Sequence, residues 1–429
     1  MHENKPSVVL SNGYHKFHLA FAAEQLHQDG RLGHLITGIY PTDLVRRFVA
    51  LFWLQRNPAI RRLLDRAVSL PRSKISSLWI GEIAIHLASI ARRRGLLQIM
   101  DRFAEIGLRL YAHRASSLLP ALASTCKIYH YRAGFGGKSV QRAKTLGLLA
   151  ICDHSIAHPL VLSPLSRGDN GVRPLARCQL DRFWRAILED IEAADHVLVN
   201  SEFVKSTFQM AEVRTDNVHV LYLGVDNEFA SSVDMEALAA SHSSRSTSVA
   251  RILFAGGFNE RKGGLETISA LSLVPDQTWH FTIAGNVDLA ASPQLSVFLE
   301  KPNVFCTGWL TRPQLAKIMM ESDIFLFPSR AEGSARVIFE ALAAGCYVIT
   351  TEASGSIVKN GVHGTVLASS DPILIARAIS EAIANLAQCR AVGRSNAILI
   401  RERYQQADYG RALACLYDRI SELEIARTQ

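Results

Sequence analysis

The sequence predicts an α/β protein of two domains, each a parallel sheet wound with helices. Three observations carry this. A chain of 429 residues exceeds what one ordinary core accommodates, so two domains are the natural partition. Its 48% apolar and 20% charged residues describe a folded protein and not a disordered one. Both halves repeat one unit: a short apolar run, a stop at Gly, Ser or Pro, then apolar residues at helical spacing.

In the first half, Ser7 to Leu10 reads as a buried strand ending at Ser11, Asn12 and Gly13, and Phe17 to Leu26 has helical period. Gly13 permits close backbone approach at a strand-to-helix turn, where such folds meet a phosphate or substrate; a plain turn glycine is the other reading. Arg31 to Ile39, RLGHLITGI, supplies a second strand, with His34 structural. From Leu44 to Ala115 the chain carries 14 Arg and Lys against 4 Asp and Glu, which exceeds the net charge of +8 for the whole sequence. There Phe48, Leu51, Phe52, Trp53, Ile60 and Leu63 form apolar faces beside arginines. Basic amphipathic helices with Trp and Phe predict an anionic membrane surface as partner. A helical subdomain packed on the sheet, its arginines solvated, is the alternative. Nucleic acid is not expected, because charge is its only support.

Lys127 to His130 and Leu148 to Cys152 read as further strands, joined by the glycine-rich GFGGKSVQRAKTLG, where Lys138 opens a helix. ICDHSIAHP then places Asp153 and His154 just past a strand end, with Pro159 disfavouring a helical residue before it. His154, Asp153 and His158 are all candidates for function, and a hydrogen-bonded loop is the alternative for each. Asp195 to Asp226 reads as strand, helix capped by Ser201, strand and turn. The first domain is therefore expected over 1–230, with a helical basic insert at about 44–115, and the Ser-rich 231–248 as linker.

The second domain is expected over 249–405. Arg251 to Ala255 is a strand, followed by GGFNERKGG. Its glycines, Gly256 first, let the backbone turn toward a ligand, and Lys262 can reach a diphosphate as a mobile point charge. Arg261 adjoins it. Phe281 to Gly285 and Val304 to Leu310 are two more strand-and-turn units, the second ending at Trp309 and Leu310. Phe325 to Phe327 is a strand stopped by Pro328, Ser329 to Ser334 a turn, Ala335 to Ala344 a helix ended by Gly345, and Tyr347 to Ile349 a strand. Two carboxylates frame that turn, Glu332 in the loop and Glu340 in the helix. At the carboxyl end of a parallel strand they would face a ligand crevice, with the amides of Ser334, Ala335 and Arg336 suited to a phosphate. A favourable charge near a helix N-terminus for Glu332, and a solvated position for Glu340, is the alternative. A last helix, about 406–429, is expected to pack back toward the first domain.

Glu332, seven residues, then Glu340, in PSRAEGSARVIFEALAAG, resembles the E-x7-E signature of retaining glycosyltransferases of family 4, which have the GT-B fold. The passages VNSEFVK and LGVD, and the lysine of RKGG, fit that family in order and spacing. The resemblance is specific from about 195 to 366 and weakens between about 44 and 120. It implies two Rossmann-like domains facing one another across a cleft. It further implies transfer of a sugar from a nucleotide-diphosphate sugar to a hydroxyl acceptor, with retention and without a metal or other cofactor. Glu340 would hold the ribose, Glu332 the sugar hydroxyls, Lys262 the leaving diphosphate and His154 the acceptor side. Gly13, Gly256, Arg261, Leu310, Ser334, Ala335 and Arg336 complete the expected donor site. Two positions depart from the family. Gly257 stands where an arginine is usual, with Arg261 the candidate substitute, and Ile357 and Val358 replace an acidic residue.

Seven scattered cysteines without a C-x-x-C pair predict reduced thiols and a cytoplasmic protein. The polar start MHENKPSVVL predicts no signal peptide, and no apolar run is long enough to span a bilayer. With the basic insert, this favours an acceptor that is a lipid-linked glycan or growing polysaccharide, met peripherally at the cytoplasmic membrane face. A nucleotide-sugar epimerase of the same fold, or a non-catalytic membrane partner with a degenerate donor site, are the rival classes.

Overall fold

The computed structural model describes residues 6–14, 18–42, 60, 63–64, 66–168, 172–245, 248–287 and 293–428. Phe48, Leu51, Phe52 and Trp53 of the predicted basic insert lie outside these. Two parallel sheets organise the chain. The first runs β3-β2-β1-β4-β5-β6-β7, from β1 (Val8–Ser11), β2 (Leu32–Thr37), β3 (Ile75–Ser77), β4 (Ile128–Arg132), β5 (Leu149–His154), β6 (His196–Val199) and β7 (Val218–Val220). The second runs β10-β9-β8-β11-β12-β13, from β8 (Ala250–Ala255), β9 (Trp279–Ala284), β10 (Val304–Cys306), β11 (Ile324–Phe327), β12 (Tyr347–Thr351) and β13 (Gly364–Leu367). Every pairing in both is parallel. Each therefore has the doubly wound order that reverses beside its first strand, where a crevice opens.

Helices α1 (His18–Gln28), α2 (Ile80–Arg93), α3 (Leu97–Leu122), α4 (Lys138–Thr145), α5 (Pro159–Arg167), α6 (Arg182–Ala193) and α7 (Glu202–Met210) accompany the first sheet. Around the second lie α8 (Asn227–Ser231), α9 (Met235–Ser244), α10 (Gly264–Leu271), α11 (Pro293–Leu299), α12 (Arg312–Met320), α13 (Arg336–Ala343), α14 (Pro372–Ala384) and α15 (Leu386–Arg403). Parallel sheets covered on both faces need continuous apolar strands, and β1, β6 and β11 are buried along their whole length.

The segment expected as a linker, 231–248, contains a helix, α9. Asp234 caps α9 by accepting from the Glu236 and Ala237 amides, and Leu238 is fully buried. Phe229 belongs to the second core. The Ser-rich composition hid a helix that the Asp234 cap starts, the helix formers Met235 to Ala240 continue and the buried Leu238 anchors. The chain crosses between domains earlier, where Val225 forms a parallel bridge to Gln405. From that bridge the chain runs directly into α16 (Gln406–Thr428), which packs on the first domain. There Tyr417 Oη meets His130 Nδ1 at 2.7 Å, and Arg31 makes a two-pronged ion pair with Asp418 at 2.6 and 2.7 Å.

Candidate active site

A cavity of about 870 Å3 opens at the carboxyl ends of the second sheet's strands and reaches α1 of the first domain through Phe21 and Glu24. The loop after β8 forms one wall. Gly256 has φ 114, a conformation that only glycine adopts readily, and a Cβ there would come within 3.1 Å of Lys262 Nζ. Asn259 caps the short turn Glu260–Lys262 by accepting from the Lys262 amide. Gly263, at φ 75, then passes so close to the next loop that a Cβ would meet Pro328 O at 2.3 Å. This approach brings Arg261 and Lys262 against the carboxylate loop.

Glu332 Oε1 accepts from Arg261 Nη1 at 2.8 Å and lies 3.7 Å from Lys262 Nζ. Arg261 also donates to Ala331 O at 2.6 Å. Lys262 sits over the Phe327 ring, 5.2 Å from its centroid, a cation–π contact that fixes the ammonium at the end of β11. Glu340 is buried, and its Oε1 accepts from Arg312 Nη2 at 2.7 Å. The solvated position considered for Glu340 is thereby excluded. Arg312 also pairs with Asp226, as does Arg336 at 2.8 Å. Burial opposes the Arg312 charge, but Glu340 and Asp226 outweigh it and hold its pKa above the usual arginine value. Ser334 lines the same cavity with a buried hydroxyl that has no hydrogen-bond partner among the described residues. Buried polar atoms are rarely left so without cause, and a ligand oxygen is the natural partner.

Of the residues expected from sequence, Gly256, Lys262, Leu310, Glu332, Ser334, Ala335, Arg336 and Glu340 line this cavity. Three do not. Arg261, the candidate substitute for the arginine absent at Gly257, is turned onto Glu332 and Ala331, where it orients that carboxylate. Gly13, at φ 78, gives its amide to Tyr111 Oη at 3.1 Å and closes against the Phe135 ring. His154 is buried against Phe208 with Nε2 at 3.3 Å from Ala157 O, and burial pushes its pKa down to about 4. Its competitors, His158 and Asp153, do not line the cavity either. His158 caps α5 and is pushed down to about 3 by burial, while Asp153 is bound at 2.7 Å to His18 Nε2. Of the three amides expected to cradle a phosphate, that of Ala335 is taken by Ser354 O at 3.0 Å.

Asp226 and Arg312 are the site residues that sequence reading missed. Asp226 closes the LGVD passage and caps α8 through Phe229 N at 2.8 Å, which made it look like turn chemistry alone. Arg312 opens α12, with no local sign of a buried partner 28 positions away. The two domains meet at this site, where Ser201 Oγ donates to Gly333 O and Gly333 passes so close to Ser155 O and Asn200 that no side chain would fit there.

No curated protein matches the sequence. Among solved structures, the chain is similar to sucrose-phosphate synthase from Thermosynechococcus elongatus, at 15% identity and TM-score 0.66, over 97% of this chain and 100% of that one. Anabaena HepE in complex with UDP is similar at 15% identity and TM-score 0.60, over 96% and 99%. WaaG, a glycosyltransferase involved in lipopolysaccharide biosynthesis, is similar at 13% identity and TM-score 0.60, over 96% and 99%. Likeness at such identities establishes the fold. Residues 249–385 match the family model described as Glycosyl transferases group 1, and the two Rossmann-like domains together have the architecture of GT-B glycosyltransferase structures.

Proposed function

We propose that the protein is a retaining glycosyltransferase of family 4 that moves a sugar from a nucleotide-diphosphate sugar to a hydroxyl acceptor. The observation that carries this reading is the cavity wall where Lys262, the unpartnered Ser334 hydroxyl and the first turn of α13 converge beside Glu332 and Glu340. As the bond from the anomeric carbon to the diphosphate breaks, negative charge gathers on the departing oxygens. Lys262 and the α13 amides would stabilise it, and such preorganised groups are worth roughly 10²–10³ in rate each. That role needs no metal. Glu340, oriented by Arg312, keeps Oε2 for ribose hydroxyls, and Glu332, oriented by Arg261, accepts from the sugar. Trp309 and Leu310 offer an apolar edge for the base. HepE was solved with UDP-glucose, which makes a uridine donor the first to test.

The acceptor we infer is a lipid-linked saccharide or growing polysaccharide at a membrane face. Among the described residues no helix is long and apolar enough to cross a membrane, so this contact would be peripheral. Retention follows from the family resemblance of the carboxylate helix.

A thermal-shift screen with UDP, GDP, ADP and their sugars tests the donor site, since a ligand that binds only the folded state raises its melting temperature. A selective rise, lost in Lys262→Ala, is expected. No rise with any nucleotide on a folded sample would overturn the reading.

A further inference from the structure

α2 is amphipathic in the wrong sense for a surface helix. The side turned toward α3 is small: Gly81, Ala84, Ala88 and Ala91 are buried. A Cβ on Gly81 would come 2.7 Å from Gly107 O, and one on Gly107 would come 2.7 Å from Ile85 Cγ1. The two helices thus press together with no room for larger groups between them. Apart from Ile85, which packs against Gly107, the large residues point outward. Ile80, Ile83, Leu87 and Ile90, one per turn, are each between 40% and 52% exposed, and Trp79 starts the row at 53%. Leu97, Ile106 and Leu110 continue the exposed strip along α3. Surface helices of a soluble domain place such residues inside, and an apolar strip of this extent marks an interaction surface.

The charge beside the strip identifies the partner. Arg92, Arg93 and Arg94 are exposed where α2 ends, with Arg102 and Arg114 along α3, and none makes an ion pair among the described residues. The acidic residues of the hairpin are occupied elsewhere. Glu82 binds Arg66 at 2.5 Å and the Ile39 amide, Asp101 accepts from the Phe183 amide, and Glu105 pairs with Arg182 at 2.7 Å while also neutralising Arg109 of α3 at 2.6 Å. Aliphatic side chains flanked by unneutralised guanidinium groups complement the interface of an anionic bilayer, where the apolar tips enter the acyl boundary and arginines meet phosphates. A second copy of the chain would bring the same positive charge to the contact.

We propose that the outer face of the α2–α3 hairpin docks onto an anionic phospholipid surface. Its purpose, presenting a membrane-borne acceptor, rests on the transferase reading; its evidence does not. Leu110 and Arg109 at the strip also line a cavity of about 780 Å3 between α3, α4 and α6, with Lys138 and Arg185 on its walls. The docked face is therefore continuous with an opening into the first domain.

Co-sedimentation of the full chain with phosphatidylcholine vesicles, with and without phosphatidylglycerol and at low and high salt, tests this. Binding is expected only with phosphatidylglycerol and should weaken as salt screens the arginines. Ile83→Glu with Leu87→Glu, and separately Arg92→Glu with Arg93→Glu and Arg94→Glu, should each reduce it about tenfold or more, since either half of the two-part attraction is removed. Ile373→Glu, at a position 70% exposed in the second domain, should not. All variants should keep the nucleotide-induced thermal shift of the parent. If that shift is absent in every protein while vesicle binding behaves as described, the transferase reading fails and the docking face stands. Absence of phosphatidylglycerol binding, or equal binding by the hairpin variants, overturns the proposal. So does self-association in sedimentation velocity that Ile83→Glu with Leu87→Glu abolishes, which would assign the face to a second copy.

Discussion

The two domains wind their sheets in the same order but close the ends of the strands differently. In the second, the loops after β8 and β11 leave a lysine, an arginine-held carboxylate and an unpartnered hydroxyl facing one cavity. In the first, the corresponding loops turn inward. Tyr14, Tyr111 and Phe135 meet edge to face at 5.1 to 5.4 Å over the turn after β1, and Asp153 and His154 at the end of β5 find partners within their own domain. Strand order therefore locates a crevice, while the neighbouring helices decide whether its polar groups remain available to a ligand.

The contrast is broken most sharply by exchanging roles between the domains. Lys262→Ala should lower kcat roughly 10²–10³-fold with the fold intact, because it removes charge stabilisation needed in the transition state. His154→Ala should leave kcat within a few-fold and instead cost about 1–3 kcal/mol of stability, as expected for a buried group that only packs and hydrogen-bonds. Steady-state kinetics and denaturant melts on both variants measure this, and the opposite pattern would move the chemistry to the first domain. A smaller effect is expected of Glu340→Gln. It loosens Arg312 but leaves Asp226 to hold it, so the donor KM should rise about tenfold, or about 1.4 kcal/mol, with kcat less affected.

Acid should separate the domains as well. Burial pushes His130 and His154 down to about 4, His158 to about 3 and His219 to about 4, all in the first domain. Above pH 6.5 these groups are neutral folded or unfolded and add no pH dependence. As pH falls below 6.5 the unfolded chain takes up protons that the folded one refuses, so stability is lost progressively toward pH 4. Asp190, raised to about 7 by burial, works in the opposite direction, with one proton against four. In the second domain His242 is pushed down to about 4, and burial lowers His363 as well. Hydrogen exchange at pH 7 and pH 5 should therefore show protection falling more in the first sheet than in the second.

What was legible follows from how local the signal is. The strands around β11, the turn after Pro328 and the pairing of Glu332 with Glu340 on one short segment are written within a few residues, and they were readable. The guanidinium that holds Glu340 comes from Arg312, and its other partner Asp226 lies 86 positions from Arg312, a relation no local pattern encodes. The placement of His154 was illegible for a different reason. Adjacent residues at a strand end face opposite sides of the sheet, and the sequence shows that Asp153 and His154 diverge without showing which one meets α1. Only the packing of His18 against Asp153 and of Phe208 against His154 decides it. α9 escaped because its helix formers, Met235 to Ala240, run directly into a serine-rich stretch that dominates the composition of the segment.

The finest test compares two glycines in equivalent turns, each with positive φ. Gly13→Ala forces a Cβ to 2.7 Å from the rigid Phe135 ring, and Gly256→Ala brings one to 3.1 Å from the mobile end of Lys262. Both changes carry backbone strain of about 1–2 kcal/mol, and Gly13→Ala adds a clash that a ring cannot relieve by bending. Stability should therefore fall in both, more for Gly13→Ala. Activity per folded molecule should fall only for Gly256→Ala, by several-fold, because Lys262 is displaced from the diphosphate it would hold. Thermal melts paired with initial rates on the folded fraction separate the two quantities. A donor KM altered by Gly13→Ala would mean that the aromatic turn of the first domain does reach the substrate, and the inward closure inferred for that domain would have to open during the reaction.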